Sequence, residues 1–402
     1  PPEEQGTDRP QVLIIPFHSS NSSEGATLLL VIDQPSKAFA LLARPAARWV
    51  IVGLHLFLLL ALVLHLGVLV DKEALKYVGC AQEVLEGDFV DLTGNYLKYG
   101  SYVLFLVPFV AIGAPWLAFF AQLAIGVLAA LAMGKMVRRV SGSKRVGNLA
   151  MAVLLLCWPV QFWVLALYTE SFFTSMVILF MERVTREGKA GPLVYLLGLI
   201  TVFARPVGLL FVGPALLWSW TKDLSPVVRR SVRVGGSFAI LLAAITIPHI
   251  ERAQLAPIVE GQVIAGLPEG SVAMAEFTGT TIASAQLYFI RNHTVGQTLV
   301  LAVRRVLSLY SFHRSWYSIL HNLASSVWYL LYPIALFGLW RGRKESTLRL
   351  VTMVLLLNTI LIGLTHDEWS GRFLVPLMPW VIYLAANTFP RKQVEVDPTR
   401  AA

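Results

Sequence analysis

Only two cysteines occur in 402 residues, Cys80 and Cys157. Neither has a His or Cys neighbour at metal-ligand spacing, which excludes a disulfide framework and a cysteine zinc site. Charge is scarce as well: 14% of the residues are charged against 56% hydrophobic, too apolar for an ordinary soluble domain and in keeping with several membrane spans. Acid is scarcer than base, 24 against 33 with a formal net charge of +9. The basic residues fall in short clusters between apolar runs, so they mark topology, and a nucleic-acid surface is excluded. Internal symmetry between the two halves is missing, which speaks against a transporter built from repeats.

What is present is a succession of apolar runs. Residues 1–45 form a polar tail with one short apolar patch, Ala26 to Ile32, that suits a strand or an interfacial segment. Arg48 to Val70 is interrupted only by His55 and His65, and at 1.5 Å per residue it crosses a hydrocarbon core of about 30 Å. It is too long for a signal-peptide core and is expected to be retained. Tyr99 to Val110 is expected to lie on or dip into the outer face, and Trp116 to Met133 to cross. Further crossings are expected at Val146–Leu167, Ser171–Met181, Leu193–Phe203, Val207–Trp220, Ser237–Ile250, Ser325–Trp340, Leu350–Leu364 and Phe373–Ala386. The fold class is therefore an all-α polytopic membrane protein of about ten transmembrane helices with extracytoplasmic interfacial helices. Its transmembrane domain covers 46–390, with a cytoplasmic tail at 391–402, an acidic first outer loop at 71–98 and a long outer region at 251–321. Within that region, Thr298 to Arg314 carries Arg304, Arg305 and Arg314 among leucines and valines, as an interfacial helix would. The loops assigned to the cytoplasm hold about twice the Lys and Arg of the outer loops, the sense of the positive-inside rule.

More than half of the 24 acidic residues gather on the outer side, and that gathering needs a cause beyond topology, because Asp and Glu barely influence orientation. Asp71, Glu73, Glu83, Glu86, Asp88 and Asp91 crowd the first loop. If Asp88 to Asp91 is helical, both carboxylates face one way, suited to activating a hydroxyl or holding a cation. Glu170 stands between two apolar runs, where helix capping is the competing explanation. Arg205, before Pro206, is an ionisable group at a junction of spans, functional unless it merely snorkels. His366-Asp367-Glu368 and Arg372 bring a proton-exchanging group, two carboxylates and a guanidinium within seven positions. Together these groups would suit transfer from a phosphate-linked donor, with arginines on the phosphate and a carboxylate on the acceptor.

The order of these motifs resembles the GT-C glycosyltransferases, integral-membrane enzymes that use polyprenyl-phosphate sugars. The matching segments are Gly87-Asp88-Phe89-Val90-Asp91 with Tyr96, Tyr168-Thr169-Glu170-Ser171-Phe172-Phe173, Ala204-Arg205-Pro206-Val207-Gly208 and Arg372-Phe373-Leu374-Val375-Pro376. The Asp-Glu pair of some members is absent, since Phe89 follows Asp88. The resemblance implies an inverting transfer to a glycan, lipid or protein acceptor, with Asp88 or Asp91 as base and Arg205 and Arg372 on the donor phosphate. It leaves Glu170, Tyr96, His366 and Asp367 to orient substrate, and indicates no cofactor, a divalent metal staying an open option. The expected setting is a bilayer, with the site facing the periplasm, the exterior or an ER-type lumen. A transporter or flippase of a lipid-linked anion is the alternative.

Overall fold

The computed structural model describes residues 13–15, 28–30, 41–44, 46–88, 97–187, 190–267 and 274–389. Apart from a short antiparallel pair, β1 (Leu13–Ile15) with β2 (Leu28–Leu30), which gives the Ala26–Ile32 patch a strand, the described chain is helical. In order the helices are α1 (Ala47–Leu66), α2 (Lys72–Glu86), α3 (Gly100–Ala111), α4 (Ala118–Ser141), α5 (Lys144–Leu156), α6 (Trp158–Gln161), α7 (Thr169–Glu187), α8 (Pro192–Ala204) and α9 (Leu209–Trp220). They continue with α10 (Pro226–Thr246), α11 (Arg252–Val259), α12 (Ile282–Asn292), α13 (Val295–Leu309), α14 (Ile319–Ser326), α15 (Leu331–Gly342), α16 (Ser346–Leu364) and α17 (Met378–Ala386).

Among the described residues four helical stretches are long and apolar enough to cross a bilayer: Ala47–Leu66, Pro115–Ser141, Ile319–Gly342 and Ser346–Leu364. The pair Lys144–Leu156 and Trp158–Val164, bent by 56°, adds a fifth if it counts as one span. This corrects the continuous run expected over Val146–Leu167. The physical reason is Pro159, which has no N–H to give the Leu155 carbonyl and whose ring would clash with that carbonyl in a continuous helix. The helix stops at Cys157 (ψ 83°) and restarts at an angle, and the Gln161 amide satisfies the Leu154 carbonyl at 2.9 Å. Elsewhere the ends are cut by ordinary signals. Gly87 and Gly142 take left-handed conformations after α2 and α4, where only glycine escapes a Cβ clash.

The core is built around α7 and α17. Every residue of α17 is buried, including Trp380 and Tyr383, and α15 lies so close to it that a Cβ at Gly338 would strike the Leu384 carbonyl. In contrast α1 and α14 turn apolar side chains outward, with Leu64 at 80% and Ile319 at 85% exposure, surfaces too apolar and too continuous for water.

Contacts order the helix ends into two groups. At one end Arg139 of α4 pairs with Glu182 of α7 (2.7 Å), Trp218 of α9 donates to Ser346 of α16 (2.9 Å), and Asn148 of α5 donates to the Leu42 carbonyl before α1 (2.7 Å). The basic clusters 135–145, 183–186, 222–233 and 341–349 belong to this end. At the other end a parallel bridge joins Leu69 to Ala166, tying the segment after α1 to the segment before α7. Gln122 of α4 is buried there, where its amide donates to the Val164 and Ala166 carbonyls (3.3 and 3.2 Å) and its oxygen accepts from Tyr102 (3.0 Å). Those carbonyls, stranded where the α6 region leaves regular helix, are thus satisfied in a place without water.

The interfacial helix expected at Thr298–Arg314 is α13, which ends at Leu309: Val295, Leu299, Val303, Arg304 and Leu307 are exposed while Arg305 is buried. Arg305 donates to the Gln262 and Pro257 carbonyls (2.9 and 3.3 Å), and burial lowers its pKa to about 10. The outward face therefore mixes apolar residues with the Arg304 cation, as a helix at an interface does, while Arg305 is turned inward.

Candidate functional site

The acid-rich end of the helices carries a cluster assembled from four separate segments. Glu170 lies in the first turn of α7, where the exposed N–H groups of the helix favour a carboxylate. Arg205 follows the last residue of α8, held extended ahead of Pro206 (φ −157°, ψ 141°), and its Nη1 donates to Glu170 Oε1 at 2.7 Å. Arg372, in the turn region between α16 and α17, donates through Nη1 to Glu73 Oε2 at 2.5 Å. Its Nε stands 3.7 Å from both Glu170 Oε1 and Glu368 Oε2. Glu73 enters from the first turn of α2. Two guanidiniums and three carboxylates therefore meet, and Phe173 and Phe373 pack against Arg205 (6.0 and 5.8 Å from ring centroid to Cζ).

Beside this cluster Asp367, fully buried, accepts from Arg314 Nη2 and from Ser308 Oγ, both at 2.7 Å. A second bridge, Ile264 to Asp367, pins its backbone. Asp71 precedes the first residue of α2 and accepts from the Tyr168 hydroxyl at 3.1 Å.

Burial alone would raise the Glu73 pKa, but the hydrogen bond and charge of Arg372, with Arg205 and Lys76, outweigh it and hold the carboxyl below its ordinary value. For Arg372 burial works against the charge, and Glu170, Glu73 and Glu368 reverse that and raise its pKa. Burial, then the bond to Asp71, pushes the Tyr168 phenol up to about 12. Burial also lowers His366, partly offset by its contact with the Asp367 carbonyl.

The Glu73 shift has a testable consequence for stability. A carboxyl whose folded pKa lies below its unfolded one contributes stability above the unfolded value, and that contribution disappears as pH falls through the folded value. The thermal midpoint of the wild-type chain in nanodiscs is therefore expected to fall more steeply than that of Glu73→Gln as pH drops below about 4.5, the ordinary glutamate range. Parallel curves for the two proteins would contradict the Glu73–Arg372 pairing.

A cavity of about 600 Å³ opens on the cluster. Asp71, Glu73, Arg314, Glu368 and Arg372 line its ionic part, and aromatic side chains from the α6 region and from residues 312–321 line the rest. Among the described residues no group of three or more His, Cys, Asp or Glu is arranged to hold a metal ion. The arrangement offers carboxylates able to take a proton and a buried guanidinium, Arg372, whose Nε has no hydrogen-bond partner. A guanidinium on a cavity wall attracts an anionic oxygen.

The structure brings Glu170, Arg205 and Arg372 into one cluster. Asp88 does not join them. It follows Gly87 at the far end of α2, exposed and outside the helix, so the shared helical face with Asp91 does not extend to it. With 15 residues in α2, it stands about 20 Å from Glu73. Asp91 and Tyr96 lie outside the described residues. His366 packs on Phe373 at 6.0 Å, and Asp367 serves the Arg314 pair; neither lines the cavity. Of the outer region's histidines, His293 stacks on Phe289 and His313 bonds Ser326.

Sequence reasoning grouped Glu368 with Arg372 and did not single out Glu73 or Tyr168 as site residues. The available signal for Glu73 was position: it is the first glutamate after the first span, four residues before Tyr77, whose hydroxyl reaches it at 3.4 Å. Comparison of the chain with protein-family models, with curated proteins and with solved structures finds no match.

Proposed function

We propose that this chain is a glycosyltransferase that moves a sugar from a polyprenyl-phosphate carrier to an acceptor hydroxyl. The observation that carries the reading is the meeting of Glu73, Glu170, Arg205, Glu368 and Arg372 in one ion-pair cluster at the helix ends opposite the basic clusters, with Glu73, Glu368 and Arg372 on the wall of a cavity and Glu170 and Arg205 buried behind them. Taking the basic ends as cytoplasmic by the positive-inside rule turns the cavity toward the periplasm, the exterior or an ER-type lumen. The shorter helices α7, α8, α9, α10 and α17, which join the same two ends, then count as crossings, and the total returns to about ten in a GT-C-like fold. Short spans around a wet cavity are an accepted membrane architecture.

In this reading the donor phosphate takes up the Nε–H of Arg372 and draws that guanidinium away from Glu73. Arg205, held by Glu170, backs it with a second positive charge. Glu73, released, becomes the base in place of Asp88 or Asp91. The acceptor oxygen bonds to the anomeric carbon, the carbon–phosphate oxygen bond breaks on the opposite face, the phosphate leaves with the bonding pair, and the acceptor proton passes to Glu73. Configuration inverts. Burial of the cluster strengthens each of these interactions relative to water.

The test is direct. Purified chain in nanodiscs, given radiolabelled polyprenyl-phosphate sugars with cell-envelope acceptors, should move label, and mass spectrometry of copurifying lipid should find a polyprenyl phosphate species. A chain that binds no such lipid and moves no label from any of them is not this enzyme.

A further inference from the structure

Six rings run around the cavity wall in series. Tyr168, bonded to Asp71, faces Trp163 with centroids 5.8 Å apart. Trp163 meets Phe162 at 6.4 Å, and Phe162 meets Trp158 at 6.3 Å. Trp158 meets the imidazole of His321 at 4.5 Å, and His321 meets Tyr317 at 4.1 Å. The Tyr317 hydroxyl then donates to the Ser370 carbonyl at 3.1 Å, two residues before Arg372. The series is a horseshoe that begins and ends at the ionic cluster, and all six rings line the cavity.

Its far bend differs from ordinary aromatic packing in one respect. The indole Nε1 of Trp158 is buried without a hydrogen-bond partner. The ring nitrogens of His321 make no hydrogen bond to any described residue; the imidazole is held by its two ring contacts alone, and its backbone by Ser318. An isoprenoid chain lying there would leave the His321 imidazole nitrogens unsatisfied, at the cost of burying a polar group without a partner. A sugar ring answers that need: its C–H faces lie against aromatic surfaces, and its hydroxyls bond the imidazole. The volume suits two ligand pieces side by side, since sites for single drug-sized ligands begin at about 300 Å³.

We propose that the Trp158–His321–Tyr317 bend is a carbohydrate subsite, and that the acceptor of the transfer is itself a sugar. Its role as acceptor site rests on the transfer reading, because the donor sugar must stay next to its phosphate at the ionic end. The binding of a sugar ring does not depend on it. The horseshoe then sets the acceptor's orientation: the ring sits on the bend and presents a hydroxyl back toward Glu73.

The experiment uses the full chain in nanodiscs prepared without sugar detergents. The probes are methyl glycosides of glucose, galactose, mannose and arabinose, with geranyl phosphate as the isoprenoid control, read by saturation-transfer NMR and tryptophan fluorescence. At least one glycoside is expected to receive saturation from aromatic protons. His321→Ala should weaken that glycoside about tenfold, the loss of one such hydrogen bond. Trp158→Phe, which takes away the fused five-membered ring with its N–H and so narrows the stacking face, should weaken it as well, with geranyl phosphate binding unchanged in both variants. His321 is only partly buried, so the thermal midpoint of His321→Ala should match the wild type and show that the loss is one of binding. No response from any glycoside, affinity unchanged in both variants, or a fluorescence response to geranyl phosphate alone that His321→Ala abolishes would each overturn the subsite. Glycoside binding by a chain that moves no label would leave the subsite standing and bring down the transfer reading instead.

Discussion

Replacing Glu73 by Gln is expected to lower label transfer by about two to four orders of magnitude, the range a positioned general base supplies, while Asp88→Asn stays within about threefold of wild type, as a group some 20 Å away should. The contrast is large because the two carboxylates occupy opposite ends of one helix: Glu73 sits in its first turn against Arg372, and Asp88 lies past the glycine that ends it. Gln is nearly the size of Glu and keeps a hydrogen-bond acceptor for Arg372, so folding should survive and the deficit should fall on turnover. Binding of the lipid donor, measured separately by copurification or displacement, should strengthen or hold, since Arg372 loses its competing anion. Full activity in Glu73→Gln, or inactivity in Asp88→Asn with unchanged thermal stability, would remove Glu73 from the role of base.

The second large effect concerns stability. Glu170 and Arg205 are almost completely buried, with side-chain exposures of 1% and 9%, and pair at 2.7 Å. Taking away one partner leaves an uncompensated buried charge, which costs about 3–5 kcal/mol. Arg205→Met is therefore expected to lower the thermal midpoint severely and to reduce the yield of folded protein. Arg372, at 3.7 Å, gives Glu170 only partial compensation. Removing both charges together, Glu170→Met with Arg205→Met, should restore much of the loss, because replacing a buried pair with apolar residues of similar volume is often neutral. The double variant should nevertheless move no label, since it lacks the second positive charge behind the phosphate. Simple additivity of the two single losses would mean that the groups do not act as a pair.

The legible part of the site was the part written locally. Arg205 ahead of Pro206 and Glu170 at the head of an apolar run both stood out as ionisable groups at the ends of apolar runs, and in the folded chain they pair with each other. Arg372 stood out because three other polar residues crowd it. Glu73 did not, because it sits among six acidic residues that the sequence does not rank, and its partner is 299 positions away. Arg314 was legible as a charge but misplaced: a run of leucines with interspersed arginines reads as an interfacial helix. Which of the arginines turns inward depends on what the neighbouring segments offer, here the Gln262 and Pro257 carbonyls for Arg305 and Asp367 for Arg314, while Arg304 stays exposed. The break at Cys157 was written in Pro159, yet its use was not, since only the bend carries Trp158 round to His321.

The sequence by itself determined that the chain is helical and membrane-associated, and which helix ends carry the basic clusters. Hydropathy, glycine stops and clusters of like charge act over a few residues and need no partner. Only the tertiary structure decided which of many carboxylates meets which arginine, and that aromatic residues from two distant segments close around one cavity. Those outcomes depend on burial, which makes an unpaired charge costly enough to select its partner, and burial belongs to the packed molecule.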